Sequence, residues 1–101
     1  MKLSFSKVTA TTNITTSPSL FGGFTLGTDG INDPTITVTD GAGGAEIIPT
    51  ATYDASALGL NGALLGGHLV DAPNGVTVVI SCAGAVEVTA YYKEKGGFLD
   101  I

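Results

Sequence analysis

Thr35-Ile36-Thr37-Val38-Thr39-Asp40-Gly41-Ala42-Gly43-Gly44-Ala45-Glu46-Ile47-Ile48-Pro49-Thr50-Ala51-Thr52-Tyr53 is the stretch on which the fold is decided. Ile36 and Val38 alternate with three threonines, a period of two that sets one face of a strand on a core and the other in water. Asp40–Gly44 follows with three glycines, which adopt positive φ without steric cost and so turn the chain. Glu46–Tyr53 then reads as a returning strand. Pro49 has no amide hydrogen for a ladder and marks that strand as an edge or a bulge. The two runs predict an antiparallel hairpin.

Similar signals extend to both sides. Toward the C-terminus, Ala63-Leu64-Leu65 through Leu69-Val70 leads to Pro73-Asn74-Gly75, then to Val76–Ser81, a turn at Ala83-Gly84, and Val86–Tyr92. Asn-Gly between apolar runs is a strong hairpin signal, so these three strands are expected to form a meander. In the last, Val86, Val88 and Ala90 take the buried face, while Glu87, Thr89 and Tyr91 face outward and Tyr92 falls on the inner side. Toward the N-terminus, Lys2–Val8 and Leu20–Leu26 read as strands, the second with Gly22-Gly23 as a bulge. Thr9–Ser19 reads as an irregular arm. Asp54–Leu60 has an N-cap residue and a terminating glycine around one helical turn.

About seven short strands with at most one helical turn define an all-β chain, expected as a small antiparallel β-sandwich or jelly-roll-like barrel. The chain has 101 residues, the size of one domain. Its expected parts are an N-terminal strand and arm over 1–19, a β-sandwich over 20–95, and a tail over 96–101 after Lys93-Glu94-Lys95.

Composition narrows the function. Four lysines against nine Asp and Glu give a formal charge of −5, and charged residues are 13% of the chain, about half the roughly 25% usual in soluble domains. There is no Arg, and Lys2, Lys7, Lys93 and Lys95 sit at the two ends, so the clustered cationic surface that nucleic acid requires is missing. Ser4, Ser6, Lys7 and Thr9 interrupt any apolar leader, and no export signal is expected. Val8–Thr28 carries no charge but is filled with Thr, Ser, Asn, Gly and Pro, too polar for a membrane span.

Chemistry-bearing residues are few. Cys82 is the one cysteine, expected as a small buried side chain. His68 is the one histidine and would need Asp54, Asp71 or Cys82 brought to it for catalysis. The Asp29-Gly30-Ile31-Asn32-Asp33 loop groups oxygen ligands that would suit calcium, yet lacks EF-hand spacing, and self-bonded turn residues are the default. Gly41–Gly44 opens a strand rather than a helix, which argues against phosphate cradling. Asn13-Ile14-Thr15 fits the glycosylation tripeptide. No enzymatic activity, cofactor or metal is expected.

What remains is surface. Thirteen charged side chains must cover the exterior, and Leu58, Leu60, Leu64, Leu65 and Leu69 crowd one Gly-rich stretch. Charge-poor faces suit subunit contacts, and a closed oligomer covers strand edges that otherwise pair without control. An obligate homo-oligomer is therefore expected, with Leu58, Leu60, Leu64 and Leu65, and Phe98 and Leu99 of the tail, as interaction residues.

The runs Gly23-Phe24-Thr25-Leu26-Gly27-Thr28-Asp29-Gly30-Ile31-Asn32-Asp33, Thr35-Ile36-Thr37-Val38 and Tyr53-Asp54-Ala55-Ser56-Ala57-Leu58-Gly59-Leu60 resemble the small β-rich virion proteins encoded among tailed-bacteriophage structural genes. The similarity covers roughly residues 20–92 and rests on turns and corners. It implies a place in the virion as a capsid decoration or cement protein, a small oligomer or trimer seated on the major capsid protein, with a tail, neck or fibre-base component as the alternative. A carbohydrate- or receptor-binding β-sandwich is a further alternative, for which Tyr91 is the outward aromatic.

Overall fold

The computed structural model describes residues 3–57, 61–66 and 68–95. Among them are nine strands: β1 Ser4–Val8, β2 Thr12–Thr15, β3 Ser19–Thr28, β4 Thr35–Asp40, β5 Glu46–Thr52, β6 Gly62–Leu64, β7 Val70–Ala72, β8 Val76–Ser81 and β9 Val86–Glu94. They form two antiparallel sheets. The larger runs β1-β9-β3-β6, with β7 also paired to β3, and the smaller runs β2-β8-β4-β5. The class is all-β, with no helix among the described residues. Asp54–Ala57 makes a single turn, closed by Ala57 N donating to Asp54 O at 3.2 Å; Leu58–Leu60 lie outside the described residues.

One core joins the sheets. Phe21 and Phe24 of β3, Ala72 of β7 and Val86, Val88 and Ala90 of β9 meet Ile36 and Val38 of β4, Ile48 of β5 and Val76 and Val78 of β8. Phe21 and Phe24 are three apart and would point to opposite faces of a regular strand. The register against β9 shifts between Phe21 and Gly23, so the Gly22-Gly23 bulge adds one residue and turns both rings inward. Both are fully buried.

The hairpin of β4 and β5 forms as expected, but the threonine face of β4 is not in water: Thr37 and Thr39 are buried, because β4 is an inner strand flanked by β8 and β5. Thr35 pairs with Thr52 and Ile36 with Ala51, the register shifts between Ile36 and Val38, and Pro49 falls in that irregularity on the edge strand. Asp40 N donates to Ala45 O at 2.8 Å across the loop, where Gly41 and Gly43 have positive φ.

Three further expectations are corrected. The strands from Ala63 to Tyr92 are not a meander: β6 and β7 lie on β3, β8 on β4 and β2, and β9 on β1 and β3, so the chain changes sheet at Pro73-Asn74-Gly75 and again at Ala83-Gly84. The reason at Asn74-Gly75 is the residue before it. Gly75 N donates to Ala72 O at 3.1 Å, which makes Pro73 and Asn74 the middle of the turn and Gly75 its fourth residue, as Pro at the second position favours. Asn74 lacks the positive φ that a two-residue Asn-Gly hairpin demands. Second, the irregular arm contains β2, whose Thr12 pairs with Val78 and Thr15 with Val76. Third, nine strands replace seven, because β2 is added and the Ala63–Val70 run divides into β6 and β7 around Gly66, which takes φ +63°.

Candidate interaction surface

The outer faces of the two sheets differ. On the smaller sheet, threonines pair across strands: Thr35 with Thr52 at 2.8 Å and Thr37 with Thr50 at 2.7 Å between hydroxyls, while Thr50 donates to Glu46 at 2.9 Å and Thr77 to Asn13 Oδ1 at 2.8 Å. Each of these hydroxyls has a partner, and the face is mainly polar, with Val79 of β8 exposed among the threonines. Asn13 of the glycosylation tripeptide is part of this network.

On the larger sheet part of the outward face carries large apolar and aromatic side chains. The residues opposite the buried row Val86, Val88 and Ala90 are Glu87, Thr89 and Tyr91, and Phe5 of β1 pairs directly with Tyr91. Leu64 pairs with Gly23 and faces out, since its neighbour Ala63 packs on the core. At the bulge, the place of a Gly22 β-carbon lies 3.0 Å from Leu3 Cδ1 and 3.3 Å from Leu69 Cδ2, so two leucines close over the backbone there. Phe5 is 63% exposed, Leu64 49% and Leu3 40%.

Ion pairs bound this strip along the strands. Lys7 Nζ stands 3.7 Å from Glu87 Oε1 at one end, and Lys95 Nζ pairs with Asp71 at the other. An apolar centre with a charged margin is the anatomy of a protein contact surface. Of the interaction residues expected from sequence, Leu64 lies on this face. Leu65 packs against the core and donates its amide to Gly22 O at 3.4 Å. Leu58, Leu60, Phe98 and Leu99 lie outside the described residues. Sequence reading missed Leu3 and Phe5. Their signal was the alternation Leu3, Phe5, Lys7 on an outward face.

The Asp29–Asp33 loop is a self-bonded turn. Asp29 Oδ1 accepts from Ile31 N at 2.9 Å and Asn32 N at 2.8 Å, and Oδ2 accepts from Asn32 Nδ2 at 2.7 Å. The Asn32 amide and side chain, then Ile31, hold the Asp29 carboxyl down at a pKa of about 2. Gly84 fits against this turn because a β-carbon would collide with Asn32 Nδ2 and Asp29 Oδ2. Asp33 Oδ1 accepts from Ala55 N at 2.9 Å. These oxygens already face N–H donors, an arrangement opposed to a cation, and among the described residues no three His, Cys, Asp or Glu side chains converge for a metal. Ile31 stands 81% exposed at the tip.

His68 and Cys82 lie toward opposite ends of β3. His68 precedes β7, beside the first half of β3, with its amide bonded to Leu65 O. Cys82 lies beyond the other end of β3, half-buried, its thiol 3.5 Å from Asn32 O. Asp71 pairs with Lys95, and Asp54 Oδ1 accepts from Ser56 Oγ at 2.7 Å and Ser56 N at 2.9 Å, which lowers its carboxyl pKa. An open depression of about 370 Å³ is lined by Thr9, Gly27, Thr28, Ala85, Val86 and Glu87, and Lys7 Nζ stands 3.7 Å from the Glu87 carboxylate. Compared with known protein families, characterised proteins and solved structures, the chain shows no significant match to any.

Proposed function

We propose that this chain is a non-enzymatic structural subunit of a bacteriophage particle, a capsid decoration or cement protein that self-associates on the major capsid lattice, with a tail or neck position as the alternative. The observation that carries the reading is the apolar outer face of the larger sheet, bounded by Lys7–Glu87 and Lys95–Asp71. A face of that kind is stable in water when it meets other protein. The resemblance of the Gly23–Leu60 runs to phage virion proteins supplies the class of partner.

Topology adds support. With β6 and β7 counted as one interrupted strand, the sheet orders 1-9-3-6 and 2-8-4-5 interleave strands from both chain ends, as two Greek keys wound into a jelly roll do. Viral capsid and lectin domains share that architecture, which supports the reading by analogy of fold. The lectin side has one observation of its own: Phe5 and Tyr91 are adjacent outward rings, a two-ring platform of the sort that binds sugar faces.

Immunoelectron microscopy of gradient-purified phage particles with antibody to this chain tests the proposal. Label over the head lattice is expected. Label at the tail selects the alternative, and particles bare of label with all antigen in the soluble lysate overturn both. A glycan array positive for the wild type and negative for Tyr91→Ala would select the sugar-binding reading.

A further inference from the structure

Self-association, part of the proposed function, needs a surface, and the four sheet edges are not alike. Natural edges avoid uncontrolled pairing by shortness, bulges, proline and charge. On one edge of the smaller sheet β5 carries Pro49 and Glu46; on the other β2 has four residues and a register shift. In the larger sheet β6 and β7 are three residues each. The fourth edge, β1, has five residues in unbroken register with β9 and, among the described residues, no strand on its other side. Its one charge, Lys7, is turned toward Glu87 on the β9 side. Its most exposed apolar side chain is Phe5.

We propose that β1 pairs antiparallel with β1 of a second copy of this chain, about a two-fold axis at Ser6, joining two larger sheets into one. Ser6 is the middle of Ser4–Val8, so this axis is the one that overlaps all five residues. It sets Phe5 opposite Lys7 of the second copy, on the outward face, in both halves. The lysine stem covers the exposed ring and its ammonium stays with Glu87. No like charges oppose, whereas a shift that centred the pair on Lys7 would place two ammonium groups side by side. The joined sheet brings the Leu3 and Phe5 strips of the two copies together at one seam.

Two measurements decide it. In a Cys82→Ser background, Phe5→Cys and Lys7→Cys chains are oxidised separately and as a mixture. The mixed disulfide is expected to exceed the two homodimers combined, because positions 5 and 7 face each other while 5–5 and 7–7 are diagonal. A statistical distribution or no cross-link overturns the proposal. Phe5→Lys, which sets an ammonium group against Lys7 of the second copy, is expected to weaken dimerisation at least tenfold by analytical ultracentrifugation, about 1.4 kcal/mol, with an unchanged circular dichroism spectrum. An unchanged dissociation constant overturns it, as does a wild-type monomer. Particle labelling is read separately: label retained with no β1 cross-link sinks this interface and leaves the virion reading standing.

Discussion

Phe24 of β3 and Tyr53, just past β5, meet edge to face with ring centroids 5.6 Å apart and planes inclined by 78°. The contact ties the centre of the larger sheet to the edge strand of the smaller, across the core. Tyr53 is also held by its amide, which donates to Pro34 O at 2.8 Å. Such ring pairs add roughly 0.5–1.5 kcal/mol beyond the area they bury. Phe24→Ala, at a fully buried position, is expected to cost about 3–5 kcal/mol, and a double-mutant cycle with Tyr53→Ala in urea denaturation should return a coupling in the range of the ring pair. A coupling of zero would mean the rings do not work together.

The Asp29 turn predicts acid sensitivity. Its carboxyl sits at about 2 in the folded chain against an ordinary 3.8, so the folded state favours the charged form. The stabilisation is present above about pH 4 and is lost as the pH falls through the folded value near 2. Asp54 shifts in the same direction, so the slope of the wild type alone is not diagnostic. Subtracting the Asp29→Asn profile isolates the turn: the urea-midpoint difference between the two proteins is expected to shrink as pH drops from 4 toward 2. A difference constant over that interval would assign the turn no part in acid stability.

Gly75 has φ +99°, and a β-carbon there would run into the carbonyl oxygen of Thr15 and stand 2.9 Å from Thr16 Cα. Backbone cannot swing aside as a side chain can. Gly43 has φ +71° with nothing within 4 Å of the same position. The two alanine variants therefore separate conformational cost from collision. Gly43→Ala should lose about 1–2 kcal/mol, the cost of a left-handed L-residue, and Gly75→Ala clearly more, with β2 detaching first. Hydrogen exchange at Thr12–Thr15 rising in Gly75→Ala alone would show this. Equal losses in both variants would contradict it.

How much of this was legible in the letters depends on whether the cause was local. The alternation in Thr35–Thr39 and the glycines of the following loop act within a few residues, and the hairpin they announce is present. Pro49 likewise declares its edge position by lacking a donor. The Asn74-Gly75 signal misled because Pro73 shifts the turn by one residue, and because a strand's partner is chosen by the whole core: Val76 and Val78 bury themselves against Ile36 and Val38 rather than beside Val86 and Val88. β2 has one hydrophobic residue, Ile14, in four, so its strand character comes from β8 and was invisible alone. The apolar strip is assembled from β1, β3, β6 and β9, which no window of sequence spans.

Leu64 and Leu65 are neighbours in the chain with opposite surroundings, and that contrast gives the last prediction. Leu64 faces out beside Gly23 while Leu65 packs on the core. Removing the Leu64 side chain takes little apolar area from a buried setting, so Leu64→Ala should stay within about 0.5 kcal/mol of wild type. Leu65→Ala empties part of a packed site and should cost about 2 kcal/mol, the lower end of such substitutions because the residue is half-buried. Function should divide the other way. Particle attachment, measured by co-sedimentation of labelled chain with phage heads, is expected to fall for Leu64→Ala and to hold for Leu65→Ala at temperatures where that variant remains folded. If attachment instead tracks stability across the two variants, the outer face of the larger sheet is not the surface that binds.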